Sequence, residues 1–152
     1  MGWWSTTIMS GDDPLDGEGW IMNEIGIKYE FESGSYDSVQ SKKRLEVEQE
    51  NILAKIDKEI ENGYYESNFI YKQVLGVLLM RYGCSIKQNV KEQIIEAANS
   101  DTWSSGNLER KKHLDEFVNT LNEYEGEPTE ITSEGLFQKI AQHLGKNGPV
   151  NL

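Results

Sequence analysis

The stretch that decides the fold is residues 68–83, which read NFIYKQVLGVLLMRYG. When this segment is drawn as a helix, apolar side chains lie nearly all the way round it. A helix that is apolar on every side is buried, because no face of it suits water. We therefore predict that Ser67 or Asn68 caps this helix, that Gly83 ends it, and that it forms the centre of the core.

Amphipathic helices are predicted on both sides of this central segment, because apolar residues recur there at three- and four-residue intervals. We expect helices over 15–24, from near Ser41 to Gly63, after a Ser85 cap, from Asn107 to near Gly126, and from Thr132 or Ser133 to Gly145. Residues 27–32 alternate apolar and charged side chains, which predicts a short strand or hairpin. The fold class is therefore mainly all-α, an irregular single domain over 1–152 with about six helices.

Charge and composition narrow the classes of partner. The chain carries 26 acidic and 15 basic residues, for a net charge of −11. Because a chain this acidic repels phosphate, we expect a protein partner with a basic surface and no direct nucleic-acid binding. No charged-then-apolar leader opens the chain and the apolar run at 77–80 is short, so we expect no membrane insertion and a cytoplasmic location. The lone Cys84 excludes an intrachain disulfide and is expected in the core.

The first sixteen residues hold the most unusual features. Trp3 and Trp4 together carry too much apolar area to be left in water, so we predict that they dock on the protein body or on a partner. The acidic turn that follows has two readings. In the first, Asp13 caps a helix that Asp16 also stabilises through its charge. In the second, Asp12, Asp13 and Asp16 hold a divalent metal, although their spacing matches no calcium loop.

Other chemistry is sparse in the sequence. His113 and His143 lie on predicted helices without a cysteine or carboxylate at ligand spacing, and no phosphate loop or serine elbow is present. The basic runs at 42–44 and 110–112 suit either an anion site or a solvated face, and Glu46 and Asp115 one turn on favour the solvated, ion-paired face. We therefore predict no cofactor and no catalytic set.

Two parts of the chain together resemble small bacterial and phage proteins of unknown function. Residues 2–8, GWWSTTI, and 12–16, DDPLD, resemble the start of those proteins, which open on glycine and tryptophan before an acidic turn into a helix. The run from Val74 to Tyr124 is similar to their body, so the resemblance covers about half the chain. It implies a helical fold and a bacterial cell or phage-infected host as the source, and it implies no catalytic residue.

Two functional hypotheses follow, and a purely structural or oligomer-forming module is a third. The first is a stoichiometric protein-binding inhibitor of immunity, anti-defence or anti-nuclease type, motivated by acidity, small size and the aromatic start. The second is a metal-dependent enzyme with its site at the acidic turn, assisted by a serine or threonine. The predicted partner-binding residues are Trp3, Trp4, Asp12, Asp16, Glu46, Glu50, Asp57 and Glu61.

Overall fold

The computed structural model describes residues 8–9, 12–60, 67–101, 106–132 and 136–139. Five helices and two short strands follow one another in this part of the chain. They are α1 (Asp12–Glu24), α2 (Ser38–Glu59), α3 (Ser67–Arg81), α4 (Gln88–Asn99), α5 (Leu108–Glu123), β1 (Thr129–Ile131) and β2 (Phe137–Lys139). The mainly helical class is confirmed, with one helix fewer than six among the described residues.

Helix α3 is the centre of the core, as its composition predicts. It packs against α1, α2, α4 and β1, and its side chains are buried at Ile70 and continuously from Gln73 to Met80. Gly83 ends it with a φ of 71°. The amides of Gly83 and Cys84 donate to the carbonyls of Met80 and Leu79, which closes the helix in a Schellman motif.

Several helix ends differ by a few residues from the predicted ones. More than one side chain near each end is able to cap the helix, and the local sequence does not decide between them. Helix α2 begins at Ser38 rather than Ser41, since the Asp37 carboxylate accepts from the Gln40 amide at 2.9 Å. It ends at Glu59 rather than Gly63. The helix predicted from Asn107 begins at Leu108, and Asn107 is its cap, with its side-chain oxygen 3.0 Å from the Arg110 amide.

Two predicted caps turn out to join different helices instead. Asn68 lies inside the first turn of α3, and its side-chain amide donates to the carbonyls of Ile56 and Ile60 at the end of α2. Ser85 does not cap α4, which begins three residues later at Gln88. Its backbone amide donates to the Glu46 carboxylate of α2 at 2.7 Å. Both residues therefore hold neighbouring helices together.

The sixth predicted helix is wrong over residues 137–139, which form strand β2, and its residues 133–135 lie outside the described part. Strand β1 pairs antiparallel with β2, so that Ile131 lies opposite Phe137. Thr132, predicted as a helix cap, donates its amide to the Leu136 carbonyl at 2.7 Å. Extended structure is favoured because β-branched residues follow Pro128 and because the Phe137 ring packs 5.9 Å from that of Phe117. Residues 140–145 of the predicted helix lie outside the described residues.

The strand expected near 27–32 is reduced to one isolated bridge between Glu30 and Ser35. The Glu30 amide donates to the Ser35 carbonyl at 2.9 Å, and residues 31–34 form the turn between them. Gly34 adopts a φ of 70°, which suits a residue without a Cβ. The chain reverses too soon for the alternating pattern to build a ladder.

Candidate functional site

The acidic turn is the start of helix α1. Because α1 begins at Asp12, Asp13 lies inside the first turn of the helix and the prediction that it precedes the helix as the cap is wrong. Asp16 is exposed, while the side chains of Asp12 and Asp13 are outside the described part. Among the side chains that are described, no group of three or more ligating residues is placed to hold a metal. A metal at Asp12, Asp13 and Asp16 stays a prediction.

Acidic residues predicted to bind a partner through α2 have partners within the chain. Glu50 lies 2.7 Å from the Lys87 ammonium and 2.9 Å from the Asn89 amide, and these two hydrogen bonds lower the pKa of its carboxyl. Asp57 pairs with Lys72 of α3 at 2.7 Å. A partner protein would have to compete with these contacts. Trp3, Trp4 and Glu61 lie outside the described residues, so their partner-binding roles stay predictions.

The second basic run is divided between the interior and the surface. Lys111 pairs with Asp115 at 3.4 Å, which is the ion-paired face that the spacing predicts. Arg110 departs from that prediction, because its side chain is fully buried. Its Nη2 donates to Asp101 at 2.8 Å and to the side-chain oxygen of Gln73 at 3.0 Å. The sequence offers no local sign of this triad, because Gln73 lies on α3, Arg110 on α5 and Asp101 in the segment after α4.

The first basic run lies along a surface cleft of about 430 Å³ between the end of α1 and the first half of α2. Lys43 and Arg44 line this cleft together with Glu24 and Glu48. Arg44 also donates to the Ile25 carbonyl at 3.0 Å. Charges of both signs meet there, so the cleft has no uniform field for an anion.

A charged network joins α1, α3 and β1. Arg81 lies 3.1 Å from the Glu18 carboxylate and 2.9 Å from that of Glu130. Burial opposes the charge on Arg81, but the two carboxylates more than offset it and raise the pKa of the guanidinium. Burial and the charge of Glu18 likewise raise the pKa of Tyr36. The network therefore stays charged and joins the three elements through two ion pairs.

Three aromatic rings form a row that runs from the core at Tyr36 to the solvent at Phe31. We call residues 29–36 the aromatic turn. Tyr36 is half-buried and packs against the core. Tyr29 meets Tyr36 edge to face at 5.2 Å, and Phe31 meets Tyr29 in the same manner at 5.1 Å. Phe31 is 88% exposed, more than any other large apolar side chain of the described residues.

The aromatic turn was missed as a site in the sequence, although its signal was present. The alternation in residues 27–32 predicts a strand with Tyr29 and Phe31 on one side and Glu30 and Glu32 on the other. A strand would have paired these aromatic side chains with a neighbour. The tight reversal at Gly34 leaves them at a tip instead, with both glutamates exposed.

Nucleophilic chemistry finds no support in the described residues. Cys84 is buried as predicted, and burial raises the pKa of its thiol to about 12, so it is not a thiolate at neutral pH. His113 is half-buried on α5. His143 lies outside the described residues.

No known protein family, curated protein or solved structure matches the chain. In the part of the chain that the structure describes, no helix combines the length and apolar character that crossing a membrane requires.

Proposed function

We propose that this chain is a small acidic protein of bacterial or phage origin that binds a protein partner stoichiometrically through that partner's basic surface. Inhibition of an enzyme, as in immunity, anti-defence or anti-nuclease proteins, is the activity that such binding would serve. The observation that carries the proposal is the aromatic turn, where a strongly exposed Phe31 lies between two exposed glutamates in a chain of net charge −11.

The aromatic turn is suited to binding a protein, and the acidic residues around it add a preference for a partner of opposite charge. A phenylalanine left in water has an unfavourable hydration free energy that burial against a partner removes, and aromatic residues are enriched in interfaces. The acidic surroundings select a partner of opposite charge and speed its approach. Asp16 at the start of α1 is exposed and adds to the same field.

The predicted acidic set on α2 enters this proposal in a reduced form. Glu46, Glu50 and Asp57 each bond to a residue outside α2, so they contribute to the long-range field more than to direct contacts. Trp3, Trp4, Asp12 and Glu61 remain proposed contact residues.

The test is capture of a partner from bacterial lysate, followed by measurement of the mass and composition of the complex. We expect a protein with a basic surface in a complex of fixed stoichiometry, and no binding of duplex DNA by the chain alone. Recovery of only acidic or neutral proteins, or binding to duplex DNA, would overturn the proposal.

A metal-dependent enzyme is the second candidate. Its specific support is that α1 begins at Asp12, so that Asp12 and Asp16 are four residues apart in the same helix. We expect no change in melting temperature on adding magnesium, manganese or calcium. A rise of several degrees that is lost in an Asp12→Asn, Asp13→Asn, Asp16→Asn triple variant would establish a metal site and favour the enzyme.

A further inference from the structure

We propose that the aromatic turn is the docking site for a cationic side chain, arginine or lysine, presented by the protein partner. This inference rests on the proposed function and specifies which surface performs it. The guanidinium or ammonium group would lie against the exposed face of Phe31 while Glu30 or Glu32 neutralises its charge. Two interactions favour this class of ligand. A cation is attracted to an aromatic face within about 6 Å, and a neighbouring carboxylate forms a charged hydrogen bond with it.

The rings are held in place before any partner arrives. Tyr36 packs against the core, Tyr29 meets Tyr36 edge to face, and Phe31 meets Tyr29 edge to face, so contacts run unbroken from the interior to the tip. The backbone beneath is fixed by the bridge between Glu30 and Ser35. A docking surface that is already ordered loses little conformational entropy on binding, so more of the contact energy appears as affinity.

An exposed phenylalanine suits several kinds of binding partner, and the charge of the aromatic turn selects among them. Glu30, Glu32 and Asp37 are exposed around it, against Lys28 as the one nearby cation of residues 27–37. Anionic lipid and nucleic acid would be repelled by this excess of carboxylates. A second copy of the chain would bring like charges together at the same tip. A cationic side chain on a protein is the occupant that this charge favours.

The experiment is a titration of the isotope-labelled chain with a short peptide of alternating arginine and glycine, followed by NMR. We expect the largest amide shifts at residues 29–36. Phe31→Ala should weaken the affinity about two- to fivefold, as loss of an exposed cation–aromatic contact predicts, whereas Phe31→Tyr should retain it. Because Phe31 is largely exposed, neither substitution should change the melting temperature. An unchanged melting temperature also verifies that the variants fold.

Matched controls separate this surface from the general acidity of the chain. Glu30→Gln with Glu32→Gln should weaken the affinity, whereas Glu59→Gln on α2 should leave it unchanged, because Glu59 is exposed elsewhere. Val39→Ala should also leave it unchanged, although Val39 is 72% exposed and apolar. The same peptide with glutamate in place of arginine should not bind.

Three results would overturn the inference. They are peptide binding that is indifferent to Phe31→Ala, shifts of the same size with the glutamate peptide, and Phe31-dependent binding to vesicles of anionic lipid. If a captured basic partner still binds the Phe31→Ala variant with full affinity, the proposed function stands and its surface lies elsewhere. If neither the arginine peptide nor any basic protein binds, both proposals fail.

Discussion

Replacing Gly76 by alanine should destabilise the protein, although alanine is the better helix former. Gly76 lies in the middle of α3, where alanine would otherwise contribute about 1 kcal/mol. A Cβ at this position would lie 2.8 Å from Cζ of Phe117 and 3.0 Å from Cγ2 of Ile94. Carbon atoms pack best at roughly 3.5–4.0 Å, so the new methyl group would displace buried side chains of both α4 and α5.

The magnitude follows from the difference between these effects. Overpacking a core costs about 1–3 kcal/mol, and Gly76→Ala should lie at the upper end because two fully buried side chains from separate helices must move together. After subtraction of the gain in helix propensity, the free energy of unfolding should fall by about 2 kcal/mol. In a protein of this size that corresponds to a melting temperature roughly 4–8 °C lower.

Differential scanning calorimetry and urea unfolding measure this change, and Gly19→Ala is the matched control. Gly19 lies inside α1, and nothing lies within 4 Å of the position its Cβ would take. That substitution should stabilise the protein by up to about 1 kcal/mol. Phe117→Leu should relieve part of the Gly76→Ala penalty in a double-mutant cycle. If Gly76→Ala instead stabilises the protein as Gly19→Ala does, the close approach of α4 and α5 to α3 is wrong.

Further predictions concern the buried polar groups. Arg110→Met should lower the free energy of unfolding by about 3–5 kcal/mol, because it leaves the Asp101 carboxylate buried without its guanidinium. Adding Asp101→Asn to this variant should recover part of the loss. An unchanged stability in calorimetry would refute the buried pair. Asn68→Ala should lower the free energy of unfolding by about 1 kcal/mol in urea, because it removes the amide that binds the end of α2. A decrease no larger than that of an exposed control such as Asn119→Ala would refute the contact. Stability should fall as pH rises from 8 to 10, because the folded thiol of Cys84 has a pKa of about 12 and the unfolded thiol ionises first near pH 8.5. Cys84→Ala should remove about 1–2 kcal/mol of that fall, and an identical pH dependence in both proteins would contradict the burial of the thiol.

The helices could be predicted because their signals are local. The apolar composition of α3, the Asn107 cap of α5 and the glycine after α3 each act within a few residues of the feature they determine. The β-hairpin was not predictable in the same way. Residues 136–144 carry apolar residues at helical spacing, and only the pairing of Phe137 with Ile131 and the packing on Phe117 favour the extended form.

The candidate site depended even more on long-range contacts. Nothing near Arg110 in the sequence distinguishes it from Lys111, yet one is buried against Asp101 and the other is paired in solvent. The bonds of Glu46 and Glu50 to the start of α4 span more than thirty residues. The aromatic turn was hidden for the opposite reason, because its local alternation is typical of a strand and only the early reversal at Gly34 exposes the rings.

The association rate of the chain with its captured partner, measured by stopped flow as a function of salt, tests the central claim most directly. If the acidic surface steers a basic partner, the association rate should fall at least about tenfold between low salt and about 0.5 M salt, while the dissociation rate changes much less. Glu32→Lys should slow association further at low salt and leave the melting temperature unchanged, whereas Asp16→Lys should slow association and also lower the melting temperature slightly, because it removes a favourable charge near the start of α1. An association rate that is the same at all salt concentrations, and the same in both variants, would contradict recognition by charge.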